Sequence, residues 1–244
     1  MIRAALLALL AWAAPAWAEE CENIDHDGAS YTICTVDLST DTLRLFLYDD
    51  SGAPYGQFSA IDRALEEKGQ QLGFAMNAGM YHDDRAPVGH YVEDGKEVMR
   101  VIPNAGPGNF GLLPNGILCL REGRADVIET LRFVDQAPEC LHATQSGPML
   151  VIDGDLHPRF LVDSTSRYVR NGVGTSADGK TAVFAISDSP VTFHQFGRLF
   201  RDHLSLPNAL FLDGNISRLY APQLNRSDFG FSLGPIIGTV RAAD

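Results

Sequence analysis

The chain has 244 residues, 45% of them hydrophobic and 20% charged, which excludes a disordered chain and supplies enough apolar material for one substantial core. Asp and Glu total 31 against 19 Lys and Arg, a formal charge of −12, so the chain lacks the basic footprint of a nucleic-acid binder and is repelled by an anionic membrane surface. One apolar run alone approaches spanning length, which excludes a polytopic membrane protein.

That run comes first. Arg3 precedes an uninterrupted apolar stretch over 4–14, and Ala16-Trp17-Ala18 places small residues where a signal peptidase reads them, the plan of a secretory signal peptide. Residues 1–18 are expected to be removed, leaving 19–244 as one domain, periplasmic or secreted, with no integral membrane segment. An uncleaved anchor is the weaker reading, because no positive flank follows the run. Four cysteines agree with export to an oxidising compartment. They allow three pairings, and the economical one joins Cys21 to Cys34 and Cys119 to Cys140.

Asp27-Gly28 then marks a tight turn, and the partly alternating stretch 43–48 reads as a strand. A helix is expected over 61–70 with Ser59 as its N-cap. Antiparallel hairpins are expected wherever two apolar runs enclose a dipeptide that accepts positive φ. These are 89–92 with 97–101 around Asp94-Gly95, and 110–113 with 117–120 around Asn115-Gly116. Further along come 149–152 with 156–160 around Asp153-Gly154, and 173–176 with 181–186 around Asp178-Gly179. A second helix has Ser189 as N-cap and Pro190 at its first position, with Phe193, Phe196, Phe200 and Leu204 as its apolar stripe. The expected class is α+β: a single strand-rich domain of antiparallel hairpins with a few covering helices.

Several familiar chemistries are absent. The chain has no G-x-S-x-G elbow, no H-E-x-x-H and no Walker loop. Residues 106–111 match G-x-G-x-x-G, but Leu112-Leu113-Pro114-Asn115-Gly116 follows, a strand and turn rather than the helix that must receive a pyrophosphate. The seven histidines are scattered and no C-x-x-C occurs, so no metal site is expected; the spacing leaves the cofactor open.

Polar groups instead gather at the ends of apolar runs in four places. They are 74–81 with Asn77, followed by Pro87-Val88-Gly89; 144–151 with Ser146-Gly147-Pro148; 170–174 with Arg170; and 209–217 with Asp213-Gly214-Asn215-Ile216-Ser217. Asp188 ends a further apolar run, 183–187. A carboxylate or amide at the end of a strand buried on both faces must be satisfied or used. Each also has a plain structural reading. Asn77 and Asn215 can cap turns, Arg170 can form an ion pair, and Asp188 can favour a helix start through the dipole.

The ordered set N-A-G-M-Y, P-V-G, S-G-P-M-L, R-N-G-V-G and F-L-D-G-N-I-S resembles the phosphodiester glycosidase family from about Gly73 to the C-terminus. The stretch 208–222 looks most like its small exported bacterial members. Where many members have D-G-G-x-S, this chain has Asn215 in place of the second glycine, while Asp213, Gly214 and Ser217 match. The resemblance implies hydrolysis of a sugar-1-phosphodiester in a glycan or glycoconjugate. Asp213, Asp188, Asn77 and Arg170 would be catalytic, and Ser146, Gly147, Gly89, Gly214, Asn215 and Ser217 would bind substrate. Two carboxylates, Asp188 and Asp213, would flank the bond, and the Arg170 guanidinium would hold the phosphate. Two other classes stay open: a non-catalytic module that binds a carbohydrate or sugar phosphate, and a hydrolase with Ser146 or Ser217 as nucleophile, which needs a histidine within hydrogen-bond reach, His142 being close in sequence to Ser146.

Overall fold

The computed structural model describes residues 20–213 and 215–243; the expected signal peptide and Gly214 lie outside the described residues. In chain order the first elements are β1 (Glu20–His26), β2 (Ala29–Asp37), β3 (Thr42–Phe46), α1 (Phe58–Glu66), β4 (Gln70–Asn77), β5 (Tyr91–Glu93) and β6 (Lys96–Met99). The middle of the chain gives β7 (Gly116–Arg121), β8 (Arg124–Glu129), α2 (Thr130–Gln136), β9 (His142–Ser146), β10 (Met149–Ile152), β11 (Asp155–Leu156), β12 (Asn171–Thr175) and β13 (Thr181–Ser187). The last part gives α3 (Phe193–Arg198), β14 (Asn208–Asp213), β15 (Leu219–Ala221), β16 (Arg226–Ser227) and β17 (Ile236–Ala242).

The strands form three antiparallel sheets, ordered β1-β2-β13-β12-β14-β10-β11, β16-β15-β4-β17-β3 and β6-β5-β9-β7-β8. Each sheet turns one face to a shared core. Phe184, Leu210 and Leu212 meet Phe74, Met76 and Ile237 there, together with Tyr91, Leu118 and Val127. The other face of each sheet lies under one helix. Phe211 and Val183 pack with Phe196 and Phe200 of α3 and its continuation, Ala75 and Ile236 with Phe58 and Ile61 of α1, and Ile117 and Ala143 with Phe133 of α2. This explains why the strands read as continuous apolar runs rather than alternating ones: successive side chains enter two different hydrophobic layers.

The strand-rich antiparallel character agrees with the sequence. The balance is mostly β, however, since the three α-helices have only 9, 7 and 6 residues. Hairpins form around Asp94-Gly95, Asp153-Gly154 and Asp178-Gly179. The one expected around Asn115-Gly116 does not. Residues 110–113 are irregular, and β7 pairs instead with β8. The amide of Asn115 is turned inward, donating to the Phe110 carbonyl at 2.9 Å, so this residue closes a loop rather than a hairpin. The first helix starts at Phe58 with Gln57, not Ser59, at its cap position and ends at Glu66. The third starts at Phe193 under a Thr192–Gln195 capping box, because Val191 is held in a bridge to Tyr168 and cannot enter the helix. Disulfides join Cys21 to Cys34 and Cys119 to Cys140, the local pairing. Among the described residues no helix is long and apolar enough to cross a membrane.

Candidate active site

The ends of β4, β12 and β14 come together through two buried asparagines. The Asn171 side chain donates to the Asn77 carbonyl at 2.9 Å, and its Oδ1 accepts the Asp213 N–H at 3.0 Å. The Asn77 Oδ1 accepts the Arg218 N–H at 2.9 Å. Both amides are fully buried, so each of these bonds satisfies a group that would otherwise be desolvated at a cost of about 1–3 kcal/mol. Together they join two sheets and fix both ends of the segment 213–218. The Ser146 hydroxyl donates to the Leu212 carbonyl at 2.8 Å, and the Ser217 hydroxyl to the Asp213 carbonyl at 3.0 Å. Asp213 is thereby held at its backbone N–H, its carbonyl and its neighbour. Its Oδ1 accepts the Asn215 N–H at 2.9 Å.

The Asp213 side chain faces a cleft of about 570 Å³ lined also by Tyr81, His82, Asp83, Arg85, Asn109, Phe110 and Asn215. One wall is a tight excursion between Tyr81 and Pro87, which form a bridge. At its tip Arg85 adopts φ +73, a left-handed conformation that is costly for a residue with a Cβ. Its guanidinium lies 5.4 Å from the Tyr81 ring centre. Burial and then the Asp213 carboxylate raise the Tyr81 phenol pKa, while Arg85 and Arg218 oppose the shift. Phenol and carboxylate therefore sense each other across the cleft. The other wall is the 107–110 loop, and it explains two glycines. A Cβ at Gly89 would lie 2.5 Å from the Phe110 ring, and one at Gly147 would lie 2.6 Å from the Asn115 side chain and 2.9 Å from the Phe110 carbonyl. Gly89 and Gly147 thus shape the cleft by letting this loop close in.

Of the residues singled out from sequence, Asp213 and Asn215 line the cleft. Asn77, Ser146 and Ser217 support it from behind through the hydrogen bonds above. Two do not join it. Arg170 is buried, donates to the carbonyls of Val191 and Ser166 at 3.0 and 3.3 Å, and lies 3.6 Å from the Phe193 ring centre. Burial lowers its pKa to about 10. This guanidinium belongs to the layer under α3. The reason is strand parity: Arg170 and Asn171 are neighbours on an extended chain, so only one can face the site. Asp188 sits beyond β13 and accepts from Arg226 at 2.7 Å and Thr32 at 3.4 Å, an ion pair that ties β16 to the large sheet. Asp83, not Asp188, is the second carboxylate that lines the cleft. Ser146 also loses its candidate base. His142 lies at the opposite end of β9 from Ser146, and its ring faces Asp94.

Tyr81, Asp83, Arg85 and Asn171 join the site without standing out in the sequence. Tyr81 and Asn171 stand inside the N-A-G-M-Y and R-N-G-V-G motifs, where nothing local tells which neighbour faces the site. The signal for Arg85 was the charged turn Asp83-Asp84-Arg85 directly after a glycine-broken strand end. No group of three His, Cys, Asp or Glu side chains gathers as a metal site among the described residues.

The cleft of this strand-rich fold is thus lined by a carboxylate whose backbone is held by a buried amide, together with a guanidinium and a phenol. The family model described as phosphodiester glycosidase matches residues 70–231, a span that holds every residue of the cleft, and the chain belongs to that family. The uncharacterized protein YigE of Escherichia coli (strain K12) is 31% identical over 186 residues, covering 76% of this chain and 72% of that protein. A hypothetical protein from Synechocystis shares the fold with a TM-score of 0.62 at 12% identity, over 91% of this chain and 61% of the other, so this chain spans about three fifths of that one. The catalytic domain of zebrafish N-acetylglucosamine-1-phosphodiester alpha-N-acetylglucosaminidase, auto-inhibited by its pro-peptide, shares it with a TM-score of 0.57 at 15% identity, over 93% and 82% of the two chains.

Proposed function

We propose that the protein is an exported hydrolase that cleaves the anomeric C–O bond of a sugar-1-phosphodiester in a glycan or glycoconjugate. The observation that carries this reading is Asp213, 8% exposed, its backbone N–H held by Asn171 and its carboxylate accepting the Asn215 N–H, in the lining of a cleft that also presents Arg85. In the reaction water adds to the anomeric carbon, the C–O bond breaks, and a phosphate monoester leaves with the bond's electron pair. A phosphate monoester leaves without being protonated at neutral pH, so one well-placed carboxylate serves where an alkyl glycoside needs two. Asp213 stabilises the positive charge that develops on the ring and accepts the proton of the attacking water. Arg85 offers its planar fork to the phosphate. Tyr81 and Asn109 supply neutral hydrogen-bonding groups on either side. Overall charge near −12 opposes an anionic substrate, but that field is screened beyond about 8 Å at physiological salt and the local cation decides. Export is supported by the two disulfides, which persist in oxidising compartments.

The test is hydrolysis of a panel of sugar-1-phosphodiesters by the purified protein, with and without chelator. Release of free sugar and phosphate monoester, abolished in Asp213→Asn, supports the reading. Saturable binding without turnover would instead make the protein a carbohydrate- or sugar-phosphate-binding module.

A further inference from the structure

Two phenylalanines stand almost wholly in water on a loop whose Ser232 carbonyl meets Tyr81 of the cleft. Phe229 is 91% exposed and Phe231 79%, yet the loop that carries them is held at nearly every residue. Buried Arg218 donates to the Asp228 carbonyl at 3.1 and 2.7 Å and to the Phe231 carbonyl at 2.9 Å. Gln57 donates to the Gly230 carbonyl at 3.4 Å, and Leu233 N–H to the Gly56 carbonyl at 2.9 Å. The Asp228 carboxylate accepts the Leu219 N–H at 2.9 Å and pairs with Arg226. The loop is therefore ordered before anything binds, and its order holds two phenyl rings out of the core rather than in it. Preorganised apolar groups of this kind bind a partner without the cost of ordering a mobile segment.

The same loop is continuous with the cleft. The Tyr81 hydroxyl, part of the cleft wall, donates to the Ser232 carbonyl at 3.4 Å. A Cβ at Gly234 would lie 2.4 Å from the Tyr81 ring, so the chain just past the phenylalanines packs directly on that side chain. Arg218, which pins the loop, also gives its backbone N–H to Asn77. One side chain and one residue thus tie the exposed rings to the groups that hold Asp213.

We propose that Phe229 and Phe231 form an aromatic platform that takes a second sugar ring of an extended substrate, beyond the phosphate held at Arg85. A phenyl face packs against the C–H face of a sugar while the hydroxyls stay in water, which suits rings that are pinned but solvated. The strong negative charge of the chain disfavours an anionic membrane as the occupant. The inference rests on the sugar-phosphodiester reading for the identity of its ligand.

Two substrates separate the platform from the reacting centre: the methyl phosphodiester of N-acetylglucosamine 1-phosphate, and the same phosphate joined to a neutral trisaccharide, maltotriose. In Phe229→Ala/Phe231→Ala the KM for the trisaccharide diester is expected to rise about tenfold or more, with the methyl diester unchanged. Both side chains are exposed, so the variant keeps its melting temperature. Equal KM changes for both substrates, or none, overturn the proposal. Calorimetry in the Asp213→Asn background keeps it independent of turnover. If the wild type hydrolyses neither diester but the trisaccharide diester still binds through the two phenylalanines, the function reading falls and the platform stands. If the alanines leave that binding untouched, the platform falls. Wild-type binding to phosphatidylcholine vesicles, or a wild-type dimer in sedimentation, that disappears in the double alanine variant also overturns it.

Discussion

Replacing Asp213 by Asn removes a charge and almost no volume, so its effects on folding and on chemistry separate cleanly. The side chain is nearly buried, and its Oδ1 accepts the Asn215 N–H at 2.9 Å. An amide oxygen can accept the same bond. The loss is the difference between a charge-assisted and a neutral hydrogen bond, about 1 kcal/mol. The backbone N–H and carbonyl of residue 213 keep their bonds to Asn171 and Ser217. In a domain of this size about 1 kcal/mol lowers the melting temperature by about 2–4 °C. The rate has no such cushion, because an amide neither takes a proton from water nor stabilises a cationic ring. Turnover should fall about 10²-fold or more, equivalent to about 2.7 kcal/mol. The assay is phosphate-monoester release alongside calorimetric melting of the same preparation. A spectroscopic titration gives an independent reading: the Asp213 charge contributes to the raised Tyr81 pKa, so this phenol should ionise at lower pH in the variant. A melting point more than about 10 °C lower, or activity within threefold of wild type, refutes the reasoning and makes Asp213 a structural residue.

Arg85→Gly should lower kcat/KM about 10²-fold while the melting point holds, since glycine accepts the φ of +73 without strain; an unchanged KM for phosphodiesters would remove Arg85 from the phosphate site. Arg170→Ala should act oppositely. It empties a space beside Phe193 and removes the side-chain donor to the Ser166 carbonyl and one of the two donors to the Val191 carbonyl, which keeps the Tyr168 N–H, costing about 2–4 kcal/mol in denaturant unfolding with kcat of the folded protein within threefold. His142 is buried, and burial, only partly offset by Asp94, takes its pKa from 6.5 to about 4. Its folded pKa lies below its unfolded value, so the stability it leaves intact above pH 6.5 declines as pH falls toward about 4. His142→Gln should flatten that part of the curve of melting temperature against pH, and an identical slope in the variant would show that other groups set it.

The sequence by itself determined the local features, because each rests on a few neighbouring residues. Asp94-Gly95, Asp153-Gly154 and Asp178-Gly179 turn chains back on themselves by their own conformational preferences, and the disulfides join cysteines already near in the chain. The polar groups at strand ends were legible as an ordered family pattern. Tertiary structure decided the rest. Asn115-Gly116 has the same turn chemistry as the true hairpins, yet its asparagine closes a loop on Phe110, and only the pairing of β7 with β8 on one side and with the more distant β9 on the other reveals that. Ser189-Pro190 is a good helix start that loses to the bridge between Tyr168 and Val191. At the site, the strands are apolar on both faces, so no alternation in the sequence tells which neighbour points where. That is why Arg170 stands out in the sequence while Asn171 does the positioning. Tyr81 and Arg85 share the cleft with Asp213, more than a hundred residues away in the chain; such a meeting is set by the packing of three sheets on one core, not by any local preference.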